Sequence, residues 1–186
     1  NCARFQETLV ESQLFGTVPG AFTDAKNTVG IFELCNGGTL FLDEVAEMDT
    51  RIQAKFLSVL ETKKYSKLGS NEQLQTDFRL ICATNADLKN AIMEKTFRSD
   101  LFFRISALEL YITPLRKRKE DIIILAEHFI KDSNKTFSSG AIRKLLSHQY
   151  PGNVRELENI ISVANALCKG NLIDEEHIRF SDISMF

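Results

Sequence analysis

Gly37-Gly38-Thr39-Leu40-Phe41-Leu42-Asp43-Glu44 is the stretch around which the rest of the chain is read. Residues 39–42 form a short β-branched and apolar run without alternation, the pattern of a strand buried on both faces. The run stops at two adjacent carboxylates. Burying one carboxylate is costly, and two neighbours repel each other. Such a pair is best tolerated at the carboxyl end of a parallel strand, where open α/β sheets bind ligands. An Asp held near Mg²⁺ beside a Glu that orients a water is the Walker B arrangement of nucleotide hydrolases. A strand that merely stops at an acidic turn has the same sequence, so this stretch alone leaves both readings standing.

Upstream, residues 7–15 carry Leu9, Val10, Leu14 and Phe15 at helical spacing, and Gly16 ends the pattern. Gly20-Ala21-Phe22-Thr23-Asp24-Ala25 is turn-rich with one large aromatic; taken alone it reads as a loop whose Phe22 packs inward. Downstream, Thr50 and Gln53 have the spacing of a capping box, ahead of a helix with Ile52, Phe56, Leu57 and Leu60 on one face. Gly69-Ser70-Asn71 signals a hairpin turn. Residues 78–83 read as a second buried strand ending in Thr84-Asn85. Those two side chains can hydrogen-bond a phosphate or a water; they equally suit a strand-to-helix turn in which Asn85 or Asp87 caps the next helix. A helix over 88–97 leads to Arg98 and Arg104, six apart, either of which could be an ordinary surface residue. Residues 108–112 read as a third strand, closed by Pro114. Beyond the basic run 116–119 the pattern turns helical over 122–130, 141–146 and 154–167, with Pro151-Gly152-Asn153 as a break. The predicted fold class is α/β: a parallel sheet flanked by helices over 1–115, an all-helical subdomain over 116–170, and a tail over 171–186.

Composition narrows the function. The chain has 186 residues, 44% hydrophobic and 26% charged, with a formal net charge of -2, so it carries no overall basic footprint for nucleic acid. No apolar run approaches the ~20 residues that span a bilayer, which argues against a membrane partner. Cys2, Cys35, Cys82 and Cys168 are scattered without a C-x-x-C pair, against disulfides or zinc and in keeping with a reducing cytoplasm. His128, His148 and His177 stand alone and read as packing or surface residues.

Taken in order, these pieces resemble the AAA+ ATPase domain of the sigma-54-dependent bacterial transcription activators. Gly20-Ala21-Phe22-Thr23-Asp24-Ala25 resembles that family's GAFTGA loop, and residues 38–44 its Walker B. Ala83-Thr84-Asn85 resembles sensor I, residues 97–104 the arginine-finger segment, and Pro151-Gly152-Asn153-Val154-Arg155-Glu156-Leu157 sensor II on the lid. Five motifs in register extend the resemblance from Asn1 to Leu167 and favour the Walker B reading and an exposed Phe22. The resemblance implies ATP and Mg²⁺ as cofactors. Asp43 is expected to help hold Mg²⁺, Glu44 to polarise the attacking water, and Asn1 to pair with Glu44. Thr84 and Asn85 are expected to report on the γ-phosphate, Arg98 and Arg104 to reach a neighbouring subunit's site, and Arg155 to contact nucleotide. The family works as hexameric rings, and Phe22 and Thr23 at the loop tip are expected to touch the sigma-54 RNA polymerase holoenzyme.

The resemblance has departures. No Gly-Lys dipeptide occurs in the chain, so the phosphate-binding loop is absent from it. The expectation is a truncated ATPase domain that binds ATP weakly or not at all by itself. The alternative is a non-hydrolysing module that keeps only the ring and sigma-54 contacts. A DNA-acting AAA+ helicase or clamp loader fits less well, given the loop around Phe22 and the lack of a basic stripe. Asp24 stands where the family loop has Gly, a position at which glycine permits positive φ and Asp tolerates it better than most residues. Promoter-specific DNA binding and signal input are expected to lie in domains outside this chain.

Overall fold

In the computed structural model, which describes residues 1–4 and 10–180, the elements run α1 (Val10–Phe15), α2 (Ile31–Leu34), β1 (Thr39–Leu42), α3 (Thr50–Thr62), β2 (Lys64–Tyr65), β3 (Leu74–Gln75), β4 (Arg79–Cys82), α4 (Leu88–Met93) and α5 (Ser99–Ile105). They continue with α6 (Lys119–Phe129), β5 (Thr136–Phe137), α7 (Ser139–Ser147), α8 (Asn153–Leu167) and β6 (Leu172–Ile173). The chain divides into two compact units, Asn1–Glu109 and Leu110–Phe186.

In the first unit β1 and β4 pair in parallel, with Thr39 opposite Arg79 and Leu42 opposite Cys82. Both strands stand where the apolar runs put them, but their burial differs from expectation. Leu40 and Leu42 enter the core, whereas Thr39 and Phe41 face outward. Phe41 is 57% exposed, beside the exposed Ile81 in the register. The apolar run therefore belongs to a strand covered on one face by the described residues. Residues 108–112 are not a strand either, and Leu108, Leu110, Tyr111 and Ile112 are 79–85% exposed. A strand exists only where its peptide groups meet a neighbour, and no described strand pairs with these residues.

Phe32 on α2 organises the first core. Its fully buried ring meets Phe15 edge-on at 5.1 Å, stacks on Phe56 and Phe78 at 5.9 Å, and touches Tyr65 at 5.6 Å. One ring thus joins α1, α3, β2 and the approach to β4. The helix over 7–15 is described from Val10; its residues 7–9 lie outside the described part. Gly16 ends it at φ +77°, and its backbone packs on Gly30, where an added Cβ would stand 2.4 Å from the Gly16 nitrogen. At α3 the expected Thr50–Gln53 capping box does not form. Asp49 caps instead, accepting from the Arg51 N–H at 2.8 Å, which frees Gln53 for the interior. The apolar face Ile52, Phe56, Leu57 and Leu60 is buried as the spacing predicts. Helix α4, capped by Asp87, stops at Met93 rather than at 97, because Lys95 turns left-handed and the N–H groups of Thr96 and Phe97 fold back onto the Ala91 carbonyl.

The second unit packs α6, α7 and α8 around Leu115, Ile122, Ala126, Leu145, Leu157 and Ile161. It is not wholly helical: β5 and β6 form a short parallel pair. Residues 172–178, expected in a tail, belong to this core through Ile173 and Ile178. Lys135 Nζ closes the end of α8 by donating to the carbonyls of Asn165 and Cys168.

Replacing Phe32 with Ala removes the shared ring and is expected to destabilise the first unit by about 3–5 kcal/mol; urea unfolding followed by a probe in that unit measures it. Burial lifts the Cys82 thiol to about 11, so folding favours its neutral form. Its contribution to stability is full below the unfolded value of about 8.5 and is lost as pH climbs past that toward 11. Native Cys82 should therefore resist iodoacetamide at about pH 8.5 while the urea-unfolded chain is alkylated; rapid native alkylation would contradict the burial.

Candidate functional site

The two carboxylates sit at the carboxyl end of β1, beside the carboxyl end of β4. The strand end is held from both sides: the Ala83 N–H donates to the Leu42 carbonyl at 2.8 Å, and the Cys2 N–H to the Asp43 carbonyl at 2.8 Å. Glu44 then turns into the left-handed region, φ 54° and ψ 51°, and heads the short turn Val45–Glu47. A non-glycine residue there costs about 1 kcal/mol. The Val45 N–H bond to the Ala83 carbonyl at 3.0 Å holds the turn. This bend separates two chemically alike neighbours, so that Asp43 and Glu44 meet different partners.

Asn1 donates through Nδ2 to Asp43 Oδ2 at 2.8 Å, while its own Oδ1 accepts the Ala3 N–H at 3.0 Å. The expectation that Asn1 pairs with Glu44 is thus corrected: the strand end presents Asp43 to it. Glu44 instead receives the Asn85 N–H at Oε2, a long contact of 3.4 Å. Thr84 Oγ1 accepts the Ala86 N–H at 3.1 Å in a local turn. Asn1, Asp43, Glu44, Thr84 and Asn85 are therefore brought together at the ends of two adjacent parallel strands. A half-buried carboxylate with one oxygen fixed by an amide and the other without a partner among the described residues suits a hard divalent cation. The backbone cradle that triphosphate recognition needs is not among the described residues.

Arg98, at the N-cap of α5, and Arg104, within it, stand apart from this cluster in their contacts. Arg98 forms a two-point pair with Asp100 at 3.0 and 2.7 Å, which holds the Asp100 carboxyl below its usual range. Both groups are exposed, so solvent screens the pair and it contributes little to stability. Arg104 donates through Nη2 to the Leu60 carbonyl of α3 at 2.9 Å.

The loop from Gly20 to Ala25 rises from a rigid base. Thr17 and Thr28 bridge antiparallel, with the buried Thr17 hydroxyl donating to the Lys26 carbonyl and meeting the Thr28 hydroxyl at 2.9 Å. The Val18 N–H donates to the Leu68 carbonyl, and Gly69 lies so close that a Cβ there would stand 2.7 Å from Ala21 Cα. Phe22 is 53% exposed and Thr23 is exposed, so the inward-packing reading gives way to a projecting aromatic. Asp24 adopts φ +61°, the conformation for which glycine is the usual choice.

In the second unit Arg155 lies exposed in the first turn of α8. Glu156 next to it accepts the Gly152 N–H at 2.8 Å and pairs with His148 Nε2 at 2.7 Å. Asn153, at φ +53°, accepts the Leu115 N–H at 2.9 Å. His148, read from sequence as an isolated residue, is thus part of the frame around this turn, stacked on Phe180 at 4.1 Å. Sequence reasoning also missed Gln53; the available signal was a polar residue on the apolar face of α3, in line with Phe56, Leu57 and Leu60.

Among the described residues no helix is long and apolar enough to cross a membrane, and no cluster of His, Cys, Asp and Glu forms a metal site. The chain is 43% identical over 185 residues to the Nif-specific regulatory protein of Herbaspirillum seropedicae, covering 95% of this chain and 34% of that protein. It is 41% identical to the sigma54-dependent transcriptional regulator SfnR of Pseudomonas fluorescens, covering 98% and 52%. The solved structure of NtrX from Brucella abortus in complex with ATP superposes with a TM-score of 0.85 at 32% identity, covering 96% of this chain and 41% of that one. The chain thus spans about a third to a half of the length of these relatives. Residues 116–183 match the AAA+ ATPase lid domain and residues 1–111 the sigma-54 interaction domain, so the chain belongs to the sigma-54 interaction domain family.

Proposed function

We infer that this chain is part of the ATPase domain of a cytoplasmic sigma-54-dependent transcription activator, which uses ATP hydrolysis to remodel the sigma-54 RNA polymerase holoenzyme. The observation that carries this reading is the cluster at the ends of β1 and β4, with the carboxylates of Asp43 and Glu44 turned apart by a left-handed residue. Asp43 would hold Mg²⁺ through the oxygen that Asn1 leaves free. When bound, Mg²⁺ supplies positive charge that offsets the charge of the phosphates. Glu44 would accept a proton from, or orient, the attacking water. Thr84 and Asn85 follow the adjacent strand end, from which they would report on the γ-phosphate. NtrX was solved with ATP, in keeping with a nucleotide as the ligand here.

Arg98 is a better candidate than Arg104 for stabilising a phosphoryl group in a neighbouring subunit. Its Asp100 pair is exposed and cheap to exchange for a phosphate, whereas Arg104 is tied to backbone. Sites completed by a neighbour call for head-to-tail contacts, which close into rings; a hexamer is the family's form. Arg155 would contact nucleotide from the lid, and Phe22 and Thr23 would touch sigma-54. DNA would be bound by another domain of the whole protein. The second reading, an interaction module without hydrolysis, is favoured by the lack of a Gly-Lys dipeptide in these 186 residues.

A fluorescent ATP analogue with Mg²⁺ separates the two. The expected result is no saturable binding to the 186-residue chain across a micromolar range, and clear binding to the whole protein; a whole protein that neither binds nor hydrolyses ATP overturns the ATPase reading. Phe22→Ala should abolish sigma-54 binding with thermal stability unchanged, since the ring is exposed. Asp24→Gly should keep the turn and strengthen the same binding by removing a carboxylate from the tip. Sigma-54 anisotropy titrations that fail to distinguish these variants from the parent would remove the loop from the contact.

A further inference from the structure

Gln53 is 0% exposed on the apolar face of α3. Burying a primary amide without partners costs about 1–3 kcal/mol, so its hydrogen bonds matter. Its Nε2 donates to the Met48 carbonyl at 2.7 Å and to the Thr96 carbonyl at 2.9 Å, and its Oε1 accepts the Arg98 N–H at 2.8 Å. The amide can face only one way, because a flip would set its oxygen against two carbonyls. None of the three side-chain bonds returns to α3. One group of partners, Met48, closes the turn that Glu44 begins. The other, Thr96 and Arg98, is the backbone that leads into α5 and carries the Arg98 side chain.

We propose that Gln53 is a positioning residue that couples the Asp43–Glu44 end of β1 to Arg98. Movement of the 45–48 turn is passed through a single buried amide to the backbone that aims the guanidinium. Phe97, buried between the two bonded residues, keeps that segment from adjusting independently. Buried polar bridges of this kind transmit displacement because each unmade bond is expensive in a low-dielectric interior. The use of this coupling in phosphoryl transfer between subunits rests on the ATPase reading above; the coupling itself is a property of this chain without nucleotide.

Amide hydrogen exchange on the 186-residue chain tests it, comparing the parent, Gln53→Met and Val59→Ala. Val59 is a buried residue of the same helix and serves as the control for general core loosening. In Gln53→Met, amides of residues 45–49 and 96–102 should exchange about tenfold faster than in Val59→Ala, and both segments should respond together. Release of one segment alone, or the same pattern in both variants, overturns the coupling. Should Gln53→Met fail to fold, the parent decides: a protected Arg98 amide with slowly exchanging Gln53 side-chain protons supports the bridge, and an Arg98 amide exchanging at the free-peptide rate overturns it. These rates do not depend on ATP, so failure of the bridge and failure of the ATPase reading are separately visible.

Discussion

The first unit depends on the burial of Phe32. A four-residue helix has no stability of its own, since nucleation outweighs the few hydrogen bonds that it forms. Helix α2 persists because its one fully buried side chain, Phe32, is enclosed by the rings of Phe15, Phe56, Tyr65 and Phe78. Those rings come from four different parts of the chain. Burying them together fixes where the loop base, α3 and the two parallel strands stand relative to one another. The loop carrying Phe22 can project only because Gly16 and Gly30, immediately beside this cluster, let two backbones meet without side chains between them.

On that frame three of the six described non-glycine residues with positive φ fall in the quoted motifs, while Lys63, Lys95 and Tyr150 adopt it elsewhere. Glu44, Asp24 and Asn153 all adopt positive φ, and each lies in a motif that the sequence singled out. At Glu44 the left-handed turn keeps two carboxylates from sharing one environment. At Asn153 it frees a side-chain oxygen for the Leu115 N–H. Such positions hold because neighbouring hydrogen bonds over-determine them, as the bonds from Cys2, Val45 and Ala83 do around Glu44.

The strands that carry the candidate site were legible in the sequence. An apolar run ending in Asp-Glu and another ending in Thr-Asn read as buried strands with polar groups at their carboxyl ends; that the two are parallel neighbours came from the structure, where β1 pairs with β4. Helix α3 and the three helices of the second unit were visible from spacing. Among the readings that failed, three have an identifiable reason each. Thr50 and Gln53 have capping-box spacing, but Asp49 one residue earlier is the better cap. Residues 108–112 have strand composition and no partner strand. Asn1 was assigned to Glu44, and the geometry of the strand end brings it to Asp43.

By itself the sequence determined which segments are apolar, where turns interrupt them, and which charged residues stand at the ends of strands. These follow from local periodicity and from the cost of burying charge, both of which depend on near neighbours in the chain. Only the tertiary structure decided which face of β1 is covered, which carboxylate Asn1 meets, and that Gln53 joins the turn after Glu44 to the backbone of Arg98. The bonds from Asn1 to Asp43 and from Gln53 to Thr96 and Arg98 each span about forty residues. The energy of such a contact depends on what the core leaves unsatisfied, and no pattern within one segment records that.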